Sequence, residues 1–543
     1  MKRSIAVVCV GALVCAKVVA EEVAPANAPV AATSQQEAAQ PRFAVWEFRV
    51  KGNTLLQQTA IELTLTPFLG PDQSFDTVQD AASKLERSYR DAGYPTVLVN
   101  IPEQDVVGGV VTLEVVEGKV SRVRVSGSRY FLPSEIKQEV GSLQQGQPMH
   151  VPSFQADMNR VNSASGDLRV TPVLKPGNTP GTVEVDLRVK DELPLHGSLE
   201  VNNHNSLDTT KLRTSASISY DNLWQKHHNL SLQTQNSPEE PDESRVLAGT
   251  YIFPVVDDVS RVVFYAVSSE SDVSTLTDLT VVGNGEIYGT RLVRALDSSP
   301  GYVHSLSLGF DLKDFDESVN LVGADTDSTP IKYSIFTAMY NGNFLREYST
   351  TRVGFSVTNG LRDFLGGGDA EEFQNKRYFS HPNFFYVQGN FKHQQRFENG
   401  WRLNGRSKIQ IADSALISNE QLSAGGAASV RGYYESQDTG DHGVVASVDG
   451  ETPDILATKS SELRMRAFVD GAWLQMKDAI STDDQGNNRR VETEDTLLSA
   501  GLGTDFSMGK YLSFTLDLGV ALREAVDIEE GDLRSHASVV LEF

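Results

Sequence analysis

"YLSFTLDLGVAL", Tyr511–Leu522, is the stretch whose reading decides the fold. Leu512, Phe514, Leu516, Leu518, Val520 and Leu522 fall on one face, and Ser513, Thr515, Asp517, Gly519 and Ala521 on the other. A period of two with one unbroken apolar face is a strand, not a helix. Thr496–Phe506 upstream and Ser535–Phe543 downstream behave alike. In the latter, Ala537, Val539, Leu541 and Phe543 alternate with His536, Ser538, Val540 and Glu542. A soluble sandwich also alternates, but its apolar face would not run so evenly through three successive strands. Counted from residue 196 to 543, such segments number about sixteen, an even number suited to a closed antiparallel barrel without free edges.

Composition agrees with a barrel in a membrane. Only 39% of residues are apolar, Gly numbers 43, and the net charge is −24. A helical membrane protein would carry apolar runs of roughly 20 residues, and none follows residue 20. A barrel hides its membrane signal because only alternate residues meet lipid. The acidic balance argues against nucleic acid as a partner. The ending on Phe543 resembles the assembly signal of bacterial outer-membrane barrels.

The N-terminus, "MKRSIAVVCVGALVCAKVVAEEV", has Lys2 and Arg3 before an apolar run, Ile5–Ala16, and Val18-Val19-Ala20 ahead of Glu21. It is read as a signal peptide over 1–20, which marks the chain for export. Both cysteines, Cys9 and Cys15, lie within it, so disulfides and thiolate metal sites are not expected beyond it. No phosphate-binding G-x-x-x-x-G-K-[ST], H-E-x-x-H or G-x-S-x-G motif is present, and the ten His have no ligand spacing. No catalysis, cofactor or metal is expected, and His227-His228 is read as an interface pair.

Residues 21–42, rich in Ala, Pro and Gln, are a flexible tether. Two similar units follow, 43–118 and 119–192. "FRVKGN" (Phe48–Asn53) recurs as "VRVSGS" (Val123–Ser128). Val78, Ala81, Ala82, Leu85, Tyr89 and Ala92 recur at helical spacing in the first unit, and Phe154, Met158 and Val161 in the second. Each unit ends in a hairpin. The order β-α-α-β-β, repeated, is similar to the POTRA domain.

Together these features resemble the two-partner secretion outer-membrane transporters (TpsB), the haemolysin and filamentous-haemagglutinin secretion/activation proteins, within the outer-membrane assembly superfamily. "LKPGNTPGT" (Leu174–Thr182) is similar to a turn of that family. "EQLSAGGAASVRGYYES" (Glu420–Ser436) resembles the loop that the superfamily folds into its own barrel, here 414–441. "AFVDGAWL" (Ala467–Leu474) resembles the F-x-D-x-G strand facing that loop. Alternation puts Arg464, Arg466, Phe468 and Asp470 in the lumen, with Met465, Val469, Gly471 and Trp473 towards lipid. The resemblance makes Arg431 the partner of Asp470, with Gly432 turning the tip and Tyr433 and Tyr434 packing on the wall. Phe468 and Gly471 complete that latch.

The resemblance implies an all-β transmembrane barrel over 196–543 in the bacterial outer membrane, preceded by two periplasmic α+β domains. It implies a monomeric pore that captures an unfolded exoprotein (TpsA-like) in the periplasm and moves it to the cell surface without ATP. Its other partners are outer-membrane lipid and, during biogenesis, the barrel assembly machinery. In the first unit the strand Thr96–Ile101 and the helix Val78–Ala92 are the expected client groove, with Leu85, Tyr89, Val97, Leu98 and Val99 lining it. Some members carry an N-terminal plug helix on a long linker, for which the roughly twenty residues between signal peptide and first unit leave little room. A membrane-assembly factor of the same superfamily and a passive diffusion porin are the alternative functions.

Overall fold

Ser74 halts an extended stretch and starts a helix, its Oγ accepting the Thr77 N–H at 3.3 Å. The helix, Phe75–Asp91, buries Val78, Ala81, Ala82, Leu85 and Tyr89 on one face. In this N-terminal unit the spacing of three and four residues therefore marks an inside. The computed structural model describes residues 42–543 except 208, 242, 256–258, 271–272, 277–278, 283, 317, 320–326, 457 and 483–487. The expected signal peptide and all but the last residue of the expected tether lie outside the described residues.

The helix covers a three-stranded sheet ordered Glu47–Lys51, Val110–Val116, Leu98–Asn100, the first pair parallel and the second antiparallel. Tyr89 crosses the core to donate its hydroxyl to Asn53 Oδ1 at 2.7 Å. Burial pushes that hydroxyl up to about 12, so it remains a donor. This packing corrects the expected client groove. Leu85, Tyr89 and Val97 are enclosed within the domain's own core and offer no surface to a client. The helix's apolar face is spent on its own sheet. Leu98 remains exposed and Val99 half-buried, both on the edge strand.

The second unit runs strand (Lys119–Ser126), helix (Pro133–Glu139), helix (Val151–Ala164), strand (Leu168–Pro176), strand (Thr182–Asp191). The last strand sits between the other two, parallel to the first. Phe154, Met158 and Val161 pack beneath it. This unit is docked on the turn Trp224–His227: Leu132 N donates to Gln225 Oε1 at 3.0 Å, and His227 Nε2 lies 2.8 Å from Glu139.

From Leu195 to Glu542 sixteen antiparallel strands close a barrel. The first, Leu195–Asn202, pairs with the last, Leu533–Glu542, from Asn202↔Ser538 to Ser198↔Glu542. Phe543 extends the seam by donating its N–H to Gly197 O at 3.0 Å. A Cβ on Gly197 would lie 2.3 Å from the Phe543 ring, so the close approach requires glycine there. Apolar side chains such as Val469, Leu502 and Leu518 point outward and are exposed, while Asp470, Ser499 and Asp517 are buried inward. The ladder of the thirteenth and fourteenth strands, Ser461–Thr482 and Asn488–Met508, outruns the alternation read from sequence. Beyond the lipid both faces can be polar, so the pattern lapses while the hydrogen bonds continue.

Candidate functional site

Between the eleventh strand (Arg402–Ala412) and the twelfth (His442–Glu451), residues 413–441 fold into the lumen. The tip is fixed by Arg431. Its Nε donates to Asp470 Oδ2 and its Nη2 to Asp470 Oδ1, both at 2.8 Å, and its backbone N–H donates to Oδ2 at 3.0 Å. Nη2 also reaches Ser447 Oγ at 3.2 Å and the Asp449 carboxylate. Asp517 stands 3.8 Å from Nη1 and is itself held by Arg466. The guanidinium lies 3.5 Å from the centre of the Phe468 ring. Phe468 and Asp470 share a face because they are two apart on one strand, so a single wall strand supplies both a flat seat and a fork for one arginine. Arg431 is 2% exposed and Asp470 0%.

Gly432 has φ +124, which other residues rarely adopt, and a Cβ there would lie 3.1 Å from Ser499 Cβ. Tyr433 is fully buried and donates its hydroxyl to the carbonyls of Leu498 (2.9 Å) and Arg523 (2.8 Å). The Tyr434 ring lies 3.6 Å beneath Arg534. Gly471, by contrast, points away from the loop on the lipid side, where a Cβ would meet Leu498 Cδ1 at 3.4 Å. It makes no side-chain contribution to the latch.

Two further anchors escaped the sequence reading. At the loop's base Glu420 accepts from Tyr333 (2.6 Å) and Tyr386 (2.9 Å) and pairs with Lys313. At its exit Asp441 binds Arg377, Nη1 to Oδ1 at 2.6 Å and Nη2 to Oδ2 at 2.8 Å, and accepts the N–H of Leu416 and of Lys477. Arg377 follows the short helix Ala370–Lys376 of the preceding loop, whose Phe373 packs with Phe384, Leu416 and Ile417 inside the barrel. A buried acid within an apolar run, Glu420 after "SALISN", was the one available signal.

Among the described residues, Asp167, His196 and Asp221 bring three potential metal-ligating atoms within 4.8 Å. They already partner one another, with His196 Nε2 3.0 Å from Asp167. His227 and His228 diverge, the first to Glu139 and the second to the Tyr251 hydroxyl.

Residues 181–505 match the family described as haemolysin secretion/activation protein ShlB/FhaC/HecB, and residues 43–118 match the POTRA domain, ShlB-type. The outer membrane transporter CdiB of Dickeya dadantii (strain 3937) is 23% identical over 184 residues, 34% of this chain and 32% of that protein. Its Escherichia coli counterpart is 25% identical over 185 residues, 34% of this chain and 30% of that protein. The match spans about a third of the length of each relative. In structure, CdiB from Escherichia coli superposes with a TM-score of 0.63 at 19% identity, over 95% of this chain and 93% of that one. BamA from Haemophilus ducreyi lacking POTRA domains 1–3 superposes at 0.52 and 15% identity, over 92% and 100%. At these identities the structural likeness is one of fold.

Proposed function

The chain belongs to the haemolysin secretion/activation protein family ShlB/FhaC/HecB, the outer-membrane transporters of two-partner secretion, and from that premise we propose that its barrel passes an unfolded exoprotein under the control of loop 414–441. The barrel lies in the outer membrane, with POTRA architecture on the periplasmic side. The observation that carries the proposal is the burial of Arg431, a charged tip on a pliable segment, against Asp470. At an effective dielectric of about 20, charges 4 Å apart attract by roughly 4 kcal/mol before desolvation is subtracted. Removing one member of a buried pair costs about 3–5 kcal/mol, because the other is left uncompensated. The loop is therefore held firmly yet remains releasable.

Capture begins at the first POTRA domain. Among the described residues its edge strand, Leu98–Asn100, is paired on one side only, and a client strand adds on the other through backbone hydrogen bonds with Leu98 and Val99 beside it. The client folds outside and cannot return, which needs no ATP. Phe543 at the closing seam is what the barrel assembly machinery reads, and a closed barrel without edges favours a monomer. The fold is also that of an assembly factor. The ShlB-type match of residues 43–118 supports secretion instead.

A double-mutant cycle tests the latch. Arg431→Ala and Asp470→Ala are each expected to cut secretion about tenfold or more at matched amounts of folded barrel, and the double mutant to be little worse. Strictly additive losses would separate the two residues and end the latch account.

A further inference from the structure

The lumenal wall beside the latch carries an unusual row. Strand pairing sets Arg352 opposite Lys392 and Lys392 opposite Arg406, on the ninth, tenth and eleventh strands. Their phase is inward. Arg352 is in step with buried Ser356 and Thr358, and Lys392 and Arg406 line a cavity of about 280 Å³ against the loop residues Ser429 and Glu435. Lys408, two residues beyond Arg406 on the same face, lines it as well. Like charges directly opposite on neighbouring strands repel and destabilise a sheet. Several other arginines of the lumenal wall are matched: Arg291 to Asp311, Arg402 to Glu451, Arg466 to Asp505. Among the described residues, no carboxylate pairs with any of these four cations, and Nε and Nη2 of Arg406 are buried without a hydrogen-bond partner. This positive wall, without an ion pair of its own among the described residues, stands in a chain of net charge −24.

We propose that Arg352, Lys392, Arg406 and Lys408 form a binding track for the carboxylate side chains of a polypeptide within the lumen. Neighbouring strands lie about 4.8 Å apart, and strands in such barrels tilt by roughly 35–45°. A row perpendicular to the strands is thus an oblique ramp along the pore. An extended acidic segment meets successive cations as it advances. The same row continues from Arg406 to Ser447 and Asp470. A client carboxylate seated at Arg406 therefore arrives beside the latch and competes with Asp470 and Asp449 for Arg431. The track selects clients with acidic stretches and couples their arrival to release of the loop. This inference rests on the lumen being a polypeptide passage.

The test is the affinity of fluorescein-labelled decaglutamate for the full-length protein in detergent micelles, read by fluorescence anisotropy. Binding is expected to weaken as KCl is raised, and to be about tenfold or more weaker in Lys392→Gln/Arg406→Gln/Lys408→Gln. Equal affinity of that variant and the unaltered protein, or no binding by the unaltered protein at low salt, overturns the track. Heat-modifiable gel mobility reports folding. If the triple variant does not fold, Lys392→Gln and Lys408→Gln singly carry the test, each expected to weaken binding severalfold. Peptide affinity reads the wall whatever the loop does, whereas the Arg431–Asp470 cycle on secretion reads the passage. A failure of one is thereby distinguished from a failure of the other.

Discussion

Leu85 and Asp470 are equally hidden from solvent, both 0% exposed, yet they sit in opposite surroundings. Leu85 is packed among Val78, Ala82, Leu113 and their neighbours in the first domain, a core closed by apolar contact. Asp470 is packed among Arg431, Phe468 and Ser447 inside the barrel, whose wall strands turn most of their apolar side chains to the other face. In residues 43–118 apolar means inside; in residues 195–543 it mostly means outside. Burial alone therefore does not define a core. What differs is which solvent the outer surface must satisfy, water in one region and lipid in the other.

Exchanging the two residue types is the strongest way to break this contrast. Leu85→Asp places an unpaired carboxylate in an apolar core, a change of several kcal/mol, and is expected to unfold the first domain. Limited proteolysis of the full chain should then cleave within 43–118 while the barrel keeps its heat-modifiable mobility. Asp470→Leu should do the reverse, leaving the barrel folded by its backbone ladder while freeing Arg431 and exposing the loop to protease. A barrel that fails to form with Asp470→Leu would mean that the polar interior is a structural core after all.

A smaller effect is expected at the seam. Deleting Phe543 removes the ring against Gly197 and two backbone hydrogen bonds. The amount of folded barrel in membranes should fall severalfold, with secretion per folded molecule unchanged. Undiminished barrel would show that the strand pairs from Ser198 to Asn202 suffice. The smallest change is Leu98→Ser on the edge of the first domain. Exposed as it is, it should alter stability by no more than about 0.5 kcal/mol in urea unfolding, yet reduce secretion if clients add to that edge. Unchanged secretion would move capture elsewhere.

The sequence carried the barrel because a period of two survives in each strand whatever its neighbours are. It also carried the phases of Phe468 and Asp470, since both depend only on position along one strand. It could not say whether an apolar helix face is free or already covered. Val78, Leu85 and Tyr89 show the same spacing in either case, and the sheet that covers them is contributed by residues up to Val116. Gly471 was grouped with the latch by its motif although its phase points to lipid. The partners of Glu420 were illegible for another reason. Lys313, Tyr333 and Tyr386 lie 107, 87 and 34 residues away, and their meeting depends on how the sheet curls into a closed wall.

The triple grip on Glu420 has a mechanical consequence. Its partners stand on the seventh, eighth and tenth strands, so one carboxylate spans an arc of the wall and acts as a gauge of girth. Swelling of the cylinder would pull these partners apart. The tip at Arg431 resists retreat along the axis, and the base at Glu420 resists stretch around the circumference. If polypeptide passes through the lumen as proposed, a bulky cargo would load the second restraint and a pulled loop the first.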